Sequence, residues 1–259
     1  MKISLITVCY NSAATIRDTF ESVLSQSCND YEYIVVDGLS KDETVGIIKE
    51  YEPRFNGKMR WVSEKDSGLY DAMNKGIRMA KGDVVGILNS DDFFTSDTVL
   101  DSVAKGFDTP ETDAVYADVR YVKQSDLNCI VRHYSSKNFR RWKMRTGLIP
   151  AHPTFYAKRE LFENFGYYRT DFRIAADFEL LLRFIFVNGI NTRYIPETFV
   201  TMRMGGVSTN SFKVHFLIMK EHLKAFRLNN RHTNPFFLCL RYGGKVWDLV
   251  KAKINNIFK

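Results

Sequence analysis

Apolar segments of strand length alternate with amphipathic, helix-like segments through the first 90 residues, and this alternation constrains the fold more than any other feature. The strand-like segments cover residues 3–10, 31–37, 59–62 and 84–88. The helix-like segments between them cover residues 13–26, 40–51 and 68–80. Strands that alternate with helices predict a parallel sheet covered on both faces. We therefore expect an α/β fold with a Rossmann-like, mostly parallel sheet.

Polar side chains follow three of the predicted strands at the point where each strand ends. Tyr10 and Asn11 end the first strand, Asp37 ends the second, and residues 89–92 (Asn-Ser-Asp-Asp) follow the fourth. Ligands bind beyond the carboxyl ends of the strands in such sheets. One acid in this position often only caps the next helix, but three ends with polar residues favour a ligand site.

Two common phosphate-binding motifs are absent from the sequence. No G-x-G-x-x-G follows the first strand, and no G-x-x-x-x-G-K-[ST] occurs anywhere. This argues against a dinucleotide-binding fold and against a P-loop enzyme. The phosphates of a bound nucleotide would need another source of positive charge, and the carboxylates of residues 89–92 are ligands that suit Mg²⁺ or Mn²⁺.

The chain after residue 110 is a different mixture of elements. Residues 114–122 predict a strand, and residues 158–165 and 178–187 predict helices. Asp177 would lie near the start of the last helix, where backbone N–H groups favour a carboxylate. On spacing alone, Asp177 is equally well explained as a structural N-cap.

The net charge of +7 is concentrated in the C-terminal segment. Residues 213–259 hold ten of the 37 Lys and Arg but two of the 30 Asp and Glu, so this segment carries +8 and the rest carries −1. Residues 246–258 place apolar side chains at helical spacing among lysines. Such a helix is typical of an anionic membrane surface, but it also fits packing on the body or a homodimer contact. No nucleic-acid-binding motif accompanies the charge, so we expect no nucleic acid partner.

The sequence predicts a cytoplasmic location. No apolar run approaches the ~20 residues that a spanning helix needs, and the first residues lack the pattern of a secretory signal. Cys9, Cys28, Cys129 and Cys239 have neither a zinc spacing nor the density of a disulfide framework. Binding of the basic segment to lipid would make the protein peripheral at the inner face of the cell membrane.

Several short motifs also occur in order between residues 3 and 210. They are ITVCYN (6–11), VVDGLSKDET (35–44), EKDSGLYDAMNKG (64–76), LNSDD (88–92), HP (152–153), ADFEL (176–180) and GGVS (205–208). Together they resemble the family 2 glycosyltransferases of bacterial surface-polysaccharide synthesis, which have the GT-A fold. The resemblance implies inverting transfer of a sugar from a nucleotide diphosphate sugar, most often a UDP-sugar. The acceptor would be a glycan or a polyprenyl-diphosphate-linked sugar in capsule, O-antigen or exopolysaccharide synthesis.

The resemblance assigns roles to individual residues. The implied donor-binding residues are Val8, Tyr10, Asn11, Asp37, Asp66, Asn74, Ser90 and Asp91. The implied ligands of Mg²⁺ or Mn²⁺ are Asp91, Asp92 and Asn89. Asp177 matches the catalytic base. His152 and Ser208 would contact the acceptor or the diphosphate, although a histidine before proline is as often structural.

Four positions depart from the pattern of the family. Asn89 replaces the first acid of a D-x-D motif, which removes one negative charge from the metal site. Gly38 stands where a second acid commonly follows Asp37, and Met73 stands where an arginine is common before Asn74. Ala176 replaces the glutamate before the implied base.

The implied organisation has three parts. Residues 1–110 would form the nucleotide-sugar-binding half, residues 111–211 the acceptor-binding and catalytic half of the same domain, and residues 212–259 a basic amphipathic helical tail. The basic run at residues 140–145 would either face an acceptor pyrophosphate or be a solvated surface.

Two other classes of protein remain open. A sugar nucleotidyltransferase would need a Gly-rich, basic loop after the first strand, and residues 11–14 offer none. A non-catalytic module that binds sugar nucleotides or glycans would tolerate the loss of both Asp91 and Asp177.

Overall fold

The structure is a computed structural model that describes residues 1–204 and 212–240. The described strands are β1 Ile3–Cys9, β2 Tyr31–Asp37, β3 Met59–Ser63, β4 Val84–Ile87, β5 Phe93–Phe94, β6 Ala114–Lys123, β7 Asp126–Tyr134, β8 Tyr156–Lys158 and β9 Thr192–Arg203. The described α-helices are α1 Ile16–Leu24, α2 Thr44–Tyr51, α3 Leu69–Met79, α4 Val99–Gly106, α5 Arg159–Phe165, α6 Ala176–Leu181, α7 Phe212–Leu228 and α8 Pro235–Cys239. Short 3-10 helices cover Glu52–Phe55, Arg141–Thr146 and His152–Thr154, and a π-helical turn, Leu182–Val187, continues α6.

All of the described strands join one sheet in the order β3-β2-β1-β4-β8-β6-β9-β5, with β7 paired to β6. The strands β1 to β4 are parallel, as the alternation of strands and helices predicts. The strand β8 pairs antiparallel with β4 and with β6, so β6 and its parallel neighbour β9 run in the same direction as β4. One sheet therefore includes strands from both halves of the chain.

The first two strands are buried over their whole length because helices cover both faces of the sheet. On one face, Ile34 and Val36 of β2 pack in a core cluster that includes Phe178 of α6. On the other face, Tyr33 and Val35 pack in a cluster that includes Phe20 of α1. Side chains alternate between the faces of a strand, so this one apolar run serves both cores.

The helix α7 packs on the body of the protein rather than extending from it. Ala225 and Phe226 of α7 belong to the same core cluster as Phe178 of α6. The predicted helix at residues 246–258 lies outside the described residues. Within residues 1–204 and 212–240, no helix is both long enough and apolar enough to span a bilayer. The division of the chain into three parts stays a prediction.

Candidate active site

The topology of the sheet brings several of the predicted site residues to one edge. The strands β1, β2 and β4 are parallel, so Tyr10, Asp37 and residues 89–92 follow strand ends at the same edge. The strand β8 runs against β4, and Tyr156 pairs with Gly86. The residues before β8, including His152, therefore lie beside the residues that follow β4.

Asp37 is a fully buried carboxylate that the neighbouring loops hold in place. Its Oδ1 accepts a hydrogen bond from the Ser40 hydroxyl, and its Oδ2 accepts from the Ser63 hydroxyl at 2.6 Å and from the Ser40 N–H at 3.1 Å. These donors compensate the burial of the charge. The orientation of the carboxylate is therefore fixed before any ligand arrives.

Tyr10 and Asp66 lie on either side of Gly38. Tyr10 is 58% exposed, which is unusual for a residue with a large ring at the end of a buried strand. A Cβ atom added to Gly38 would lie 2.3 Å from Asp66 Oδ2 and 3.5 Å from Tyr10 Cδ2. Asp66 Oδ1 also accepts a hydrogen bond from the Gly68 N–H at 2.8 Å. Only glycine at position 38 lets the Asp66 carboxylate approach the loop after β2 this closely.

Val8 and Asn11 flank Tyr10 and have structural contacts. Val8 is 4% exposed and packs in the core, so its side chain does not line the surface of the edge. Asn11 has a left-handed backbone (φ +50°), its N–H donates to Ser40 Oγ at 2.8 Å, and its Oδ1 accepts from the Lys41 N–H at 2.8 Å. Asn11 therefore joins the loops that follow β1 and β2.

The residues after β4 present one free carboxylate and one buried acceptor. Asp91 is exposed, and among the described residues no hydrogen bond or ion pair engages its carboxylate. Asn89 Nδ2 donates to Asp92 Oδ2 at 3.2 Å, while Asn89 Oδ1 is buried and has no partner among the described residues. Ser90 is buried, and its hydroxyl is 2.8 Å from the hydroxyl of Ser12.

Asp92 differs from Asp91 because it is 1% exposed. Burial raises the pKa of Asp92 well above the ordinary value, and the nearby Asp91 carboxylate raises it further. Ionisation of Asp92 is therefore less favourable than that of an exposed aspartate. Among the three predicted metal ligands, Asp92 is the least accessible.

Arg203 holds the turn that carries Asp91, and the sequence alone gives no sign of it. Its guanidinium donates to the Asp91 backbone oxygen and pairs with the Asp18 carboxylate. The guanidinium also lies over the Phe93 ring, at 5.1 Å from the centroid. The Arg203 side chain is 7% exposed, so these contacts fix it rather than leaving it in solvent.

Asp177 lies in the first turn of α6, not at its N-cap, which is Ala175. Its Oδ1 accepts a hydrogen bond from the Phe178 N–H at 2.7 Å. Burial raises the pKa of Asp177, and the nearby His152 opposes this increase. A carboxylate whose pKa is raised takes up a proton more readily, which is what a general base requires.

His152 lies next to Asp177 and is held by Tyr168. The Nε2 atom of His152 is 2.7 Å from the Tyr168 hydroxyl. Burial lowers the pKa of His152, which favours the neutral imidazole, and the Asp177 carboxylate opposes this change. The structure therefore places His152 and Asp177 close enough for their charges to influence each other.

Asn74 is buried, and its amide is used by the backbone of Tyr168. Asn74 Nδ2 donates to the Tyr168 carbonyl at 2.8 Å, and Asn74 Oδ1 accepts from the Tyr168 N–H at 2.9 Å. Tyr70 of the same helix donates its hydroxyl hydrogen to the Ile174 carbonyl, and its ring stacks on Tyr168. In this arrangement Asn74 positions the loop that carries Tyr168, and its amide is not free to contact a nucleotide-sugar donor.

Glu221 of α7 supports the start of α6, although it lies 44 positions after Asp177 in the sequence. It is 7% exposed, and its two oxygens accept the N–H groups of Arg173 at 2.7 Å, Ile174 at 3.0 Å and Ala175 at 2.8 Å. These three residues lie immediately before α6, and backbone N–H groups that lose contact with water need a hydrogen-bond partner. One buried carboxylate therefore satisfies the segment that leads into Asp177.

The described residues contain no group of three or more His, Cys, Asp or Glu side chains arranged to hold a metal ion. The oxygen ligands that residues 89–92 offer are the free carboxylate of Asp91 and the unpartnered Oδ1 of Asn89. Mg²⁺ often takes only one or two carboxylates from a protein, with substrate phosphates and water as further ligands. These residues therefore fit a cation that is shared with a diphosphate. Ser208 lies outside the described residues.

The arrangement of the sheet and its helices is that of the GT-A fold. Solved structures with this fold include S. aureus TarS in complex with UDP-GlcNAc, at a TM-score of 0.68 and 20% identity over 86% of this chain and 67% of that one. A mannosyltransferase from Pyrobaculum calidifontis, in complex with GDP-Man and Mn²⁺, has a TM-score of 0.67 and 19% identity over 93% of this chain and 69% of that one. A longer TarS structure is covered to 40% of its length. These similarities show the fold.

The sequence comparisons define the family. Residues 4–173 match the model of glycosyl transferase family 2, and the chain therefore belongs to that family. A PGL/p-HBAD biosynthesis glycosyltransferase of Mycobacterium tuberculosis is 29% identical over 236 residues, covering 88% of this chain and 85% of that protein. An uncharacterised glycosyltransferase of the same species is 33% identical over 184 residues, covering 70% and 68%. Chondroitin synthase of Escherichia coli is 25% identical over 90% of this chain, but only 34% of that protein is covered. The predicted family and fold are thus confirmed.

Proposed function

We propose that the chain is an inverting glycosyltransferase that moves a sugar from a UDP-sugar to a hydroxyl group of a glycan or polyprenyl-diphosphate-linked acceptor. One observation carries this proposal: Asp177 lies within electrostatic reach of His152, and His152 precedes β8 at the edge of the sheet where the strands before Tyr10, Asp37 and residues 89–92 end. The family supports sugar transfer. The complexes of related folds with UDP-GlcNAc and GDP-Man support a nucleotide-sugar donor.

The nucleotide base of the sugar donor would occupy the pocket at the ends of β1 and β2. The exposed Tyr10 ring offers a flat surface on which a base can stack. Asp66 provides a carboxylate close to Gly38 and Tyr10, and the N3–H of uracil would donate a hydrogen bond to it. Asp37, whose oxygens are held by Ser40 and Ser63, would shape the pocket from the end of β2. Asn11 keeps the two loops together while the base is bound.

The diphosphate of the donor would lie against residues 89–92. Asp91 and Asn89 would hold Mg²⁺ or Mn²⁺, which supplies positive charge where the leaving diphosphate becomes more negative. Asp92 would act through Asn89: its hydrogen bond fixes the amide so that Oδ1 points away from Asp92. Arg203 would keep the Asp91 turn in place through the bond to the Asp91 carbonyl.

Asp177 would remove the proton from the acceptor hydroxyl as that oxygen attacks the anomeric carbon. Attack from the side opposite the leaving diphosphate inverts the configuration of that carbon. His152 would stay neutral and keep its hydrogen bond with Tyr168, so that the acceptor side of the cleft has a fixed shape. The roles of Ser208 and of the 205–211 segment stay predictions.

The test of this proposal is Asp177→Asn, assayed together with nucleotide binding. We expect the transfer rate to fall about 10²–10⁴-fold, the usual contribution of a general base. The affinity for UDP, measured by calorimetry with and without Mn²⁺, should change less than twofold. A panel of UDP-, GDP- and TDP-sugars, screened for slow donor hydrolysis, identifies the donor without the acceptor. Transfer at a near-normal rate by Asp177→Asn would refute the role of the base.

The setting of the reaction belongs to the same proposal. A polyprenyl-linked acceptor is membrane-bound, so we propose that the protein works at the cytoplasmic face of the membrane, with residues 212–259 near the lipid. The basic composition of this segment supports the idea. A homodimer formed through the segment is the alternative, and size-exclusion chromatography with light scattering separates the two.

A further inference from the structure

A surface that the active site does not use combines exposed aromatic rings with unopposed positive charge. We call it the aromatic–basic face and define it as residues 137–149 together with residues 229–240. Its exposed large apolar side chains are Trp142 (62% exposed), Phe236 (72%), Phe237 (44%) and Leu240 (48%). An exposed apolar patch of this kind on a folded protein commonly marks a contact with a partner or a membrane.

The fold, not the sequence, assembles this face from two distant segments. The helix α8 packs beside the 3-10 helix Arg141–Thr146, and the Thr233 hydroxyl just before α8 donates to the Arg145 carbonyl at 2.9 Å. The two segments border a shallow groove lined by Trp142, Arg145, Thr146, Phe186, Phe237 and Leu240. Four of these six lining residues are apolar or aromatic, and one, Arg145, is basic.

The charge on the face has one sign. The two segments contain six Lys or Arg, namely Lys137, Arg140, Arg141, Lys143, Arg145 and Arg231, and no Asp or Glu. The guanidinium groups of Arg141 and Arg145 lie 5.8 and 5.6 Å from the Phe186 ring centroid, so two of these charges lie directly beside an apolar side chain of the groove.

We propose that the aromatic–basic face docks on an anionic lipid bilayer. The cytoplasmic leaflet carries a negative surface potential that attracts clusters of Lys and Arg, and aromatic rings insert at the boundary between headgroups and acyl chains. A second copy of the chain suits the face poorly, because a twofold contact would bring the same six positive charges against each other. The charge and the exposed rings thus match a membrane better than they match a dimer.

The position of the face also connects it to the proposed active site, and this step rests on the proposed function. Phe186, which lines the groove, follows Asp177 by nine residues along α6 and the π-helical turn. At the α-helical rise of 1.5 Å per residue nine residues span about 13.5 Å along the axis, and this is an upper bound because the turn after Leu181 is π-helical. Docking through this face would hold the catalytic base Asp177 close to the bilayer, where a lipid-linked diphosphate acceptor presents its sugar.

The test is flotation of the full chain with vesicles of phosphatidylcholine that contain 30% phosphatidylglycerol, compared with pure phosphatidylcholine. We expect Lys137→Glu with Arg231→Glu to weaken binding to the anionic vesicles at least tenfold. Among the described residues neither side chain makes a hydrogen bond or ion pair, so the fold should be unaffected. The matched control is Lys49→Glu with Lys105→Glu, which changes the net charge equally at exposed positions on α2 and α4 and should bind within twofold of wild type.

The apolar part of the proposal has its own pair of variants. Trp142→Ser with Phe236→Ser should weaken binding to the same vesicles at least tenfold. Ile130→Ser with Val131→Ser, which are 46% and 47% exposed on β7, should leave it unchanged. Slow hydrolysis of the nucleotide sugar in solution, without vesicles, should be unchanged in every variant, so a loss of lipid binding is separable from a loss of catalysis.

Three results would overturn the proposal. One is equal flotation of the wild type and both face variants. Another is loss of binding on removal of residues 241–259 while both face variants still bind like wild type, which would assign the membrane contact to that segment. The third is a wild-type dimer that the face variants dissociate with no change in flotation, which would make the face a contact between copies.

Discussion

Replacement of Glu221 by alanine tests how the C-terminal helix supports the proposed base. The Glu221 carboxylate accepts three N–H groups, those of Arg173, Ile174 and Ala175, at 2.7–3.0 Å. The alanine variant leaves these groups without a partner at the start of α6. It also removes a negative charge that contributes to the raised pKa of Asp177.

The magnitude follows from the number of donors. An unsatisfied buried N–H costs about 1–3 kcal/mol, and the three costs do not simply add, because water can enter the space that the side chain leaves. We expect the free energy of unfolding to fall by about 3–5 kcal/mol. At about 2–4 °C per kcal/mol for a chain of this size, the melting temperature should fall by roughly 6–20 °C. Glu221→Gln keeps one oxygen in place and should lose less.

The transfer rate and its pH dependence provide a second test, because a loss of stability alone would not change them below the melting transition. Below the melting transition, kcat should fall while the KM for the nucleotide sugar stays nearly constant. The variant disturbs the catalytic base Asp177 and leaves the pocket for the nucleotide base intact. Asp177 must be deprotonated to act, so the rate falls as the pH drops through its pKa. Loss of the Glu221 charge lowers this pKa, and the acid limb of the profile should move to lower pH.

The control for this prediction is Lys220→Ala, an exposed neighbour on the same helix, which should melt within about 0.5 kcal/mol of wild type. Melting is followed by circular dichroism and rates by release of the nucleotide. A Glu221→Ala protein that melts within 2 °C of wild type, by the same conversion from about 0.5–1 kcal/mol, would refute the reasoning.

Three further variants test the donor side of the cleft. Gly38→Ala should weaken UDP binding in calorimetry, because the added Cβ would displace the Asp66 carboxylate. The control Gly46→Ala on α2, where the nearest atom to the added Cβ is at 3.3 Å, should bind UDP like wild type. Equal affinities of the two variants would contradict the proposed pocket. Asp91→Ala should abolish the Mn²⁺-dependent part of UDP affinity and leave the metal-independent part, and retention of both would remove Asp91 from the metal site. Asp92→Asn should raise the melting temperature at pH 8 but not at pH 4. The pKa of Asp92 is higher in the folded than in the unfolded protein, so its ionised form destabilises the fold once the pH rises above the unfolded-state pKa. A lower melting temperature at pH 8 would refute this.

Sequence patterns located the elements of the first half well. The predicted strand at residues 31–37 is observed as Tyr31–Asp37, and the predicted helix at 68–80 is observed as Leu69–Met79. The predicted helix at 178–187 is instead α6 from Ala176 with a π-helical turn after Leu181. This difference matters because it moves Asp177 into the first turn, where its backbone neighbour Phe178 donates to it.

Other contacts of the site had no sequence signal. The family motif predicts that Asn74 lines the donor pocket, but its amide binds the backbone of Tyr168, 94 positions away. Arg203 reaches the Asp91 carbonyl across 112 positions. Periodicity reports which face of an element is buried, but it carries no information about which distant group completes a hydrogen bond.

The sequence by itself determined the order of strands and helices, the polar residues at the strand ends and the family of the chain. Each of these depends on local periodicity or on short motifs, which a linear chain displays directly. The tertiary structure alone decided that Glu221 holds the approach to Asp177 and that Trp142 and Phe236 share one basic surface. These pairings depend on the path of the chain through the sheet and back across α7, because only folding brings residues 46 to 94 positions apart into contact.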